Sequence, residues 1–132
     1  MYKFIKHTAD IQFQIEGKSI EEIFLDSASA LMNSICKEKI KSKIKKEIAV
    51  EGHDFESLLY NFLEEILFLF DSEQFLISKI EKIKIDKFKL KCVLFGDKGN
   101  YEIISHVKAV TYNEMYVKKE KSSWKAQVTL DV

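Results

Sequence analysis

Proline and arginine are both absent from this 132-residue chain, and all 21 basic residues are lysine. Both gaps fit a codon bias toward Lys, Ile and Phe. The missing arginine also has a chemical meaning. Its planar fork suits phosphates and carboxylates, whereas lysine offers a mobile point charge, so a direct RNA reader without arginine would be uncommon. The lysines are matched by 21 acidic residues, giving a formal net charge of zero. That balance excludes a global attraction to nucleic acid or anionic membrane and leaves room for a local patch alone. Cysteine occurs twice, as Cys36 and Cys92. With no close pair, neither a zinc site nor a CxxC redox motif is supported, and buried reduced thiols of a cytoplasmic protein are the expectation. The four glycines form no phosphate-cradling loop. Gly17-Lys18-Ser19 ends like one, but the pattern needs glycine at position 12, where Gln12 stands. Neither GxSxG nor HExxH occurs. The N-terminus lacks the apolar run of a signal peptide. The richest apolar stretch, LLYNFLEEILFLF, contains Asn61, Glu64 and Glu65 and is too short and too charged to span a bilayer.

What is present is an ordinary globular mixture, 46% hydrophobic and 32% charged. The length implies a single domain over residues 1–132. A chain of this size buries roughly two thirds of its unfolded surface and needs no disulfide or metal to fold. Residues 11 to 16 alternate, with Ile11, Phe13 and Ile15 on one side and Gln12, Gln14 and Glu16 on the other, as in a strand with one buried face. Ser19 and Glu22 have the spacing of a capping box. They open a helix predicted over about 19–37, with Ile20, Ile23, Phe24, Leu31, Met32 and Ile35 at helical intervals. KEKIKSKIKKEIAVEG then reads as a solvated connection entering a strand near Glu47 to Glu51. Its lysines are open to a second reading as a phosphate-binding patch. Asp54 caps a second predicted helix ending near Asp71, whose aromatic and aliphatic stripe is core rather than ligand box. From Phe75 onward the periodicity becomes that of strands: FLISKIEKIKID and FKLKCVLFG joined by a turn near Asp86 and Lys87, then HVKAVTY, MYVKKE and WKAQVTLDV. The last turns Trp124, Ala126, Val128 and Leu130 inward. The order predicts an α+β two-layer sandwich, two main helices packed on a mainly antiparallel sheet.

The chemistry available lies in isolated carboxylates at strand ends. Asp10 precedes the first predicted strand, and Asp131 breaks the alternation of the last one, one residue before Val132 and its terminal carboxylate. Three hard oxygen donors brought together would suit Ca²⁺ or Mg²⁺, at about 2.3–2.6 Å for calcium, and would serve a softer metal poorly. Acids at strand ends are equally common as solubilising residues, and spacing alone does not bring these ends together.

Four blocks carry a family resemblance. HTADI with the following EGKSIEEIFLDSASALM, then HDFESLLYNFLEEILFLFD, then VKAVTYNEMYV, and the closing WKAQVTLDV resemble the archease family, in the family's order and over essentially the whole chain. The resemblance implies an accessory protein of RtcB-type RNA ligases. Such a ligase uses GTP and a divalent metal to guanylylate its own histidine. It then joins RNA ends bearing a 2′,3′-cyclic phosphate or 3′-phosphate to a 5′-hydroxyl, in tRNA splicing and RNA repair. The accessory protein promotes guanylylation and multiple turnover and is not itself an enzyme. It meets tRNA or broken RNA through the ligase, in the cytoplasm and away from membranes.

The resemblance further implies a divalent-metal site, with Ca²⁺ first and Mg²⁺ or Mn²⁺ as alternatives, on Asp10, Asp131 and the terminal carboxylate of Val132. It also implies a ligase-activation surface containing Lys108, His7 and His106. Asn113 departs from the pattern, standing where the family usually has histidine. Asparagine exchanges hydrogen bonds but carries no proton charge near neutral pH. Two rival readings stay open. One is a divalent-metal phosphodiesterase built on Asp10 and Asp131, with His7 or Lys108 near the substrate, which is weakened by too few acids for two metals. The other is a chaperone-like interaction module for other RNA-processing enzymes.

Overall fold

The computed structural model describes residues 1–5 and 10–132. Among these residues the order is β1 (Tyr2–Ile5), β2 (Ile11–Gly17), α1 (Ile20–Ile35), β3 (Ile44–Glu51), α2 (Phe55–Glu73), β4 (Leu76–Asp86), β5 (Lys89–Asp97), β6 (Ala109–Glu120) and β7 (Ser123–Asp131). The α+β sandwich is present, and its β layer is divided. One antiparallel sheet runs β1-β2-β7-β6 and the other β3-β5-β4.

The helices start where their caps dictate. Ser19 Oγ accepts from the Glu22 backbone N–H at 3.2 Å, and Glu22 reaches back to the Lys18 N–H at 2.6 Å. Two orphan donors at the helix start are thereby satisfied. Asp54 and Ser57 form a reciprocal box at the head of α2. That helix ends at Glu73, with Gln74 taking the left-handed conformation (φ 55°) at its C-cap.

Each helix packs against strands of both sheets: α1 on β2, β7 and β4, and α2 on β6, β3 and β5. Both sheets therefore share one apolar cluster, in which Phe13, Phe24, Phe62 and Phe75 are fully buried. At one end, Phe55 holds Phe88 and Trp124 edge-on, at 5.0 and 5.3 Å between centroids. Phe88 stands in the β4–β5 turn, where Lys87 and Phe88 both have positive φ (49° and 59°), as a tight hairpin needs.

Three features differ from the periodicity. Tyr2–Ile5 adds a short edge strand ahead of the first expected one. The segments expected as two strands near 106–112 and 115–120 are one, β6, starting at Ala109. Its register against β7 moves from Thr111↔Thr129 to Tyr116↔Gln127, five steps on one strand against two on the other. The surplus forms a bulge, and Glu114 within it takes the left-handed conformation (φ 57°). Third, β3 begins at Ile44, earlier than the charge pattern indicated. No helix among the described residues is long and apolar enough to cross a membrane.

Candidate functional site

β2 and β7 supply the two acids. Their antiparallel register runs from Gly17↔Trp124 to Ile11↔Leu130. Asp10 directly precedes β2 and Asp131 is the last residue of β7, so both acids stand at the same end of this pair of strands. The helices lie against one face of the sheet, where Phe13, Val128 and Leu130 are fully buried. On its second side β7 pairs with β6, with Asp131 opposite Ala109, and the Lys108 N–H donates to the Asp131 carbonyl at 2.7 Å. The Lys108 side chain is exposed, one residue before the strand. Residues from both ends of the chain and from its late middle thus converge on one sheet end.

A polar network on the opposite face went unread in the sequence. Gln12 stood on the side expected to face solvent, yet it is 5% exposed, and Thr129 is fully buried. The β6 bulge covers them. Gln12 Nε2 donates to Glu114 Oε2 at 2.8 Å and to Thr129 Oγ1 at 3.1 Å. Gln127 Nε2 donates to the Glu114 carbonyl at 2.8 Å, while its Oε1 accepts from Gln14 at 2.9 Å. A buried amide with its partners in place helps lock a register, and this register is the one that ends with Ile11↔Leu130, beside Asp10 and Asp131. Asn113 is exposed on the same bulge, its N–H bonded to Thr111 Oγ1. The available signal was the use of neutral amides, Gln12 and Gln14, where a solvated strand usually carries charge.

Asp10 also lines a hollow of about 390 Å³ with Phe4, Ile5, Ile11, Ile104 and Lys37. Phe4 and Ile104 are each 48% exposed, an apolar rim beside the acids. His106 is exposed and lines a different hollow, with Asp71, Gln74 and Tyr101 at the C-terminal end of α2. His7 lies outside the described residues. Among the described residues, no three His, Cys, Asp or Glu side chains gather into a metal-binding group. The carboxylates of Asp10 and Asp131 are hard oxygen donors, of the kind that suits calcium or magnesium rather than a softer metal.

The profile of the Archease protein family (MTH1598/TM1083) matches residues 2–132. The chain belongs to the archease family. A curated archease of Methanosarcina mazei is 34% identical over 139 residues, covering 99% of this chain and 95% of that protein. One of Pyrococcus abyssi is 39% identical over 140 residues, covering 99% and 98%. The solution structure of Methanobacterium thermoautotrophicum protein 1598 superposes with a TM-score of 0.83 at 31% identity, covering 99% and 98%. Archease membership thus extends over both sheets, both helices and both acid-bearing ends.

Proposed function

We propose that this protein is a cytoplasmic, metal-binding accessory factor that activates an RtcB-type RNA ligase, promoting its guanylylation and multiple turnover in tRNA splicing or RNA repair. The observation that carries the reading is the register joining β2 to β7. That register runs from Gly17↔Trp124 to Ile11↔Leu130 and so leaves Asp10 and Asp131 at the same end of the two strands, in a chain whose archease likeness spans residues 2–132. Asp10, Asp131 and the Val132 carboxylate would hold the ion, with Ca²⁺, Mg²⁺ or Mn²⁺ all compatible with oxygen donors. When bound, it supplies a hard positive centre for phosphate oxygens. The protein's own residues do the rest. The buried Gln12 and the half-buried Gln127 tie together the strands that end at the acids. Lys108 adds a cation at the same end for phosphate or carboxylate. Phe4 and Ile104 offer apolar surface to a protein partner.

The test is guanylylation and multiple-turnover ligation by the cognate ligase, with and without this protein. Wild type should raise both, whereas Asp10→Asn and Asp131→Asn should abolish activation and weaken terbium binding, followed by luminescence, at unchanged melting temperature. Full activation by a protein lacking residues 131 and 132 would overturn the metal-site reading. RNA cleavage without any ligase would favour the phosphodiesterase.

A further inference from the structure

The formal charge of zero conceals a division of the molecule. Residues 37–51 and 76–98, which form the β3-β5-β4 sheet and its approach, carry 13 of the 21 lysines and 6 of the 21 acidic residues. The rest of the chain carries the opposite excess. The positive side is densest between α1 and β3, in the stretch KEKIKSKIK. There Lys37, Lys39, Lys41, Lys43 and Lys45 occupy every second position, and all five are exposed. The alternate residues Ile40 and Ile44 pack against the core.

The segment is tied down. The Lys41 N–H donates to the Tyr101 hydroxyl at 3.1 Å and the Lys43 N–H to the Gly96 carbonyl at 2.9 Å, while Ser42 shares a hydrogen bond with Ser78. None of the five lysines is in an ion pair among the described residues, in contrast to Lys46 and Lys98, which share Glu73 at 2.8 and 3.1 Å. A codon bias sets how many lysines a chain has. It does not by itself space five of them alternately along an anchored segment with none in an ion pair among the described residues. Beside the row runs a groove of about 600 Å³ of mixed lining: Lys39 and Lys79 with one carboxylate, Glu38, hydrogen-bonding groups such as Asn33 and Ser42, and an apolar floor that includes Met32 and Ile77.

We propose that the lysine row Lys37 to Lys45 and the groove beside it bind single-stranded RNA through its phosphate backbone. Four of the lysines lie in the connection before β3 and Lys45 in the strand itself, so the row presents five exposed cations along one anchored segment to a polyanion. Lysine meets phosphate as a mobile point charge, and phosphate contacts carry no sequence information, so the binding is sequence-independent. The groove's mixed lining gives hydroxyl and amide groups for ribose hydroxyls and apolar surface for base faces. An anionic membrane fits this side less well. The exposed large hydrophobic residues, Met1, Phe4, Phe68, Ile104 and Tyr112, all lie outside the row and the β3-β5-β4 sheet, leaving nothing there to insert into lipid. Lys37 also lines the Asp10 hollow, so the row begins beside that end and runs away from it along the connection to β3; RNA binding by the row requires no ligase.

The test is fluorescence anisotropy of a labelled single-stranded RNA against the full chain alone. Five phosphate contacts give a slope of log affinity against log salt of about −3.5, which is a loss of about 100-fold between about 50 and about 200 mM KCl. Lys39→Gln, Lys41→Gln and Lys43→Gln together should reduce the slope by about 2. Each alone should reduce it by about 0.7, which keeps the test available if the triple variant does not fold. Lys118→Gln with Lys119→Gln and Lys121→Gln, in the other sheet, should leave it unchanged. The proposal is overturned if wild type shows no binding at about 100 µM protein and low salt, or if the triple variant keeps the wild-type slope. Binding to phosphatidylserine vesicles but not to RNA would overturn it in favour of a membrane surface.

Discussion

Asp54 shows how much one side chain settles locally. Its carboxylate accepts the Ser57 N–H at 2.7 Å, and the Ser57 hydroxyl accepts from the Asp54 and His53 N–H groups at 3.2 and 2.9 Å. The Ser57 backbone N–H, then its hydroxyl, holds the Asp54 carboxyl below its ordinary value. Asp54→Ala should cost about 1 kcal/mol at neutral pH by urea unfolding. Because the folded pKa is depressed, the charge-linked part of this stability is present above the unfolded value of about 3.9 and is lost as pH falls through the folded one. The difference between variant and wild type should therefore shrink in strong acid, and an undiminished difference would mean that the carboxylate charge is not its source. This cap was legible because its residues are three apart. Gln12 was not: alternation assigned it to the polar side of β2, and nothing within β2 announced that Glu114, 102 positions on, would fold over it. The Cys92 thiol, expected to be buried, is pushed up to about 11 by that burial and is poorly reactive for that reason.

At the scale of elements, the helices and β7 followed from the sequence because their periods are uninterrupted. β1 is four residues long, and the period of β6 is broken by its bulge, so pattern alone could not join its halves. β6 is also an edge strand, and edge strands expose unpaired N–H groups. Here α2 covers the edge with two carboxylates: Glu64 Oε2 accepts the Val110 N–H at 2.9 Å and Glu56 Oε2 accepts the Val117 N–H at 3.2 Å. In the sequence, Glu64 and Glu65 look like charges interrupting an apolar stretch. In the fold, Glu64 is the clamp between helix and sheet. Glu64→Leu leaves the Val110 donor without its acceptor and should cost about 1–3 kcal/mol, with faster hydrogen exchange at the Val110 amide. Glu64→Gln keeps an acceptor and should cost less. Equal loss in the two variants would show that charge, rather than the satisfied donor, holds this edge.

For the molecule as a whole, what the sequence left open was long-range pairing. Asp10 and Asp131 are legible as isolated acids. The β2–β7 ladder brings them to one sheet end, which no spacing within the sequence could give; there the family likeness alone linked them. The same holds for the core. Separate apolar stripes on α1 and α2 do not reveal that each helix is shared between two sheets. That sharing predicts a single cooperative transition. Phe62 is fully buried on α2, and its ring lies 5.6 Å from that of Phe24 on α1. Phe62→Ala should therefore cost about 3–5 kcal/mol, a large share of the roughly 5–15 kcal/mol that holds a domain together. For a chain of this length the melting temperature should fall by about 10–20 °C. The single tryptophan, Trp124, stands in β7 against Phe55 and reports one sheet by fluorescence, while far-UV circular dichroism reports the whole. With one shared core the two signals shift together in Phe62→Ala. If the tryptophan signal melts apart from the dichroism, the sheets have separate cores and the account of the fold given by the helices fails.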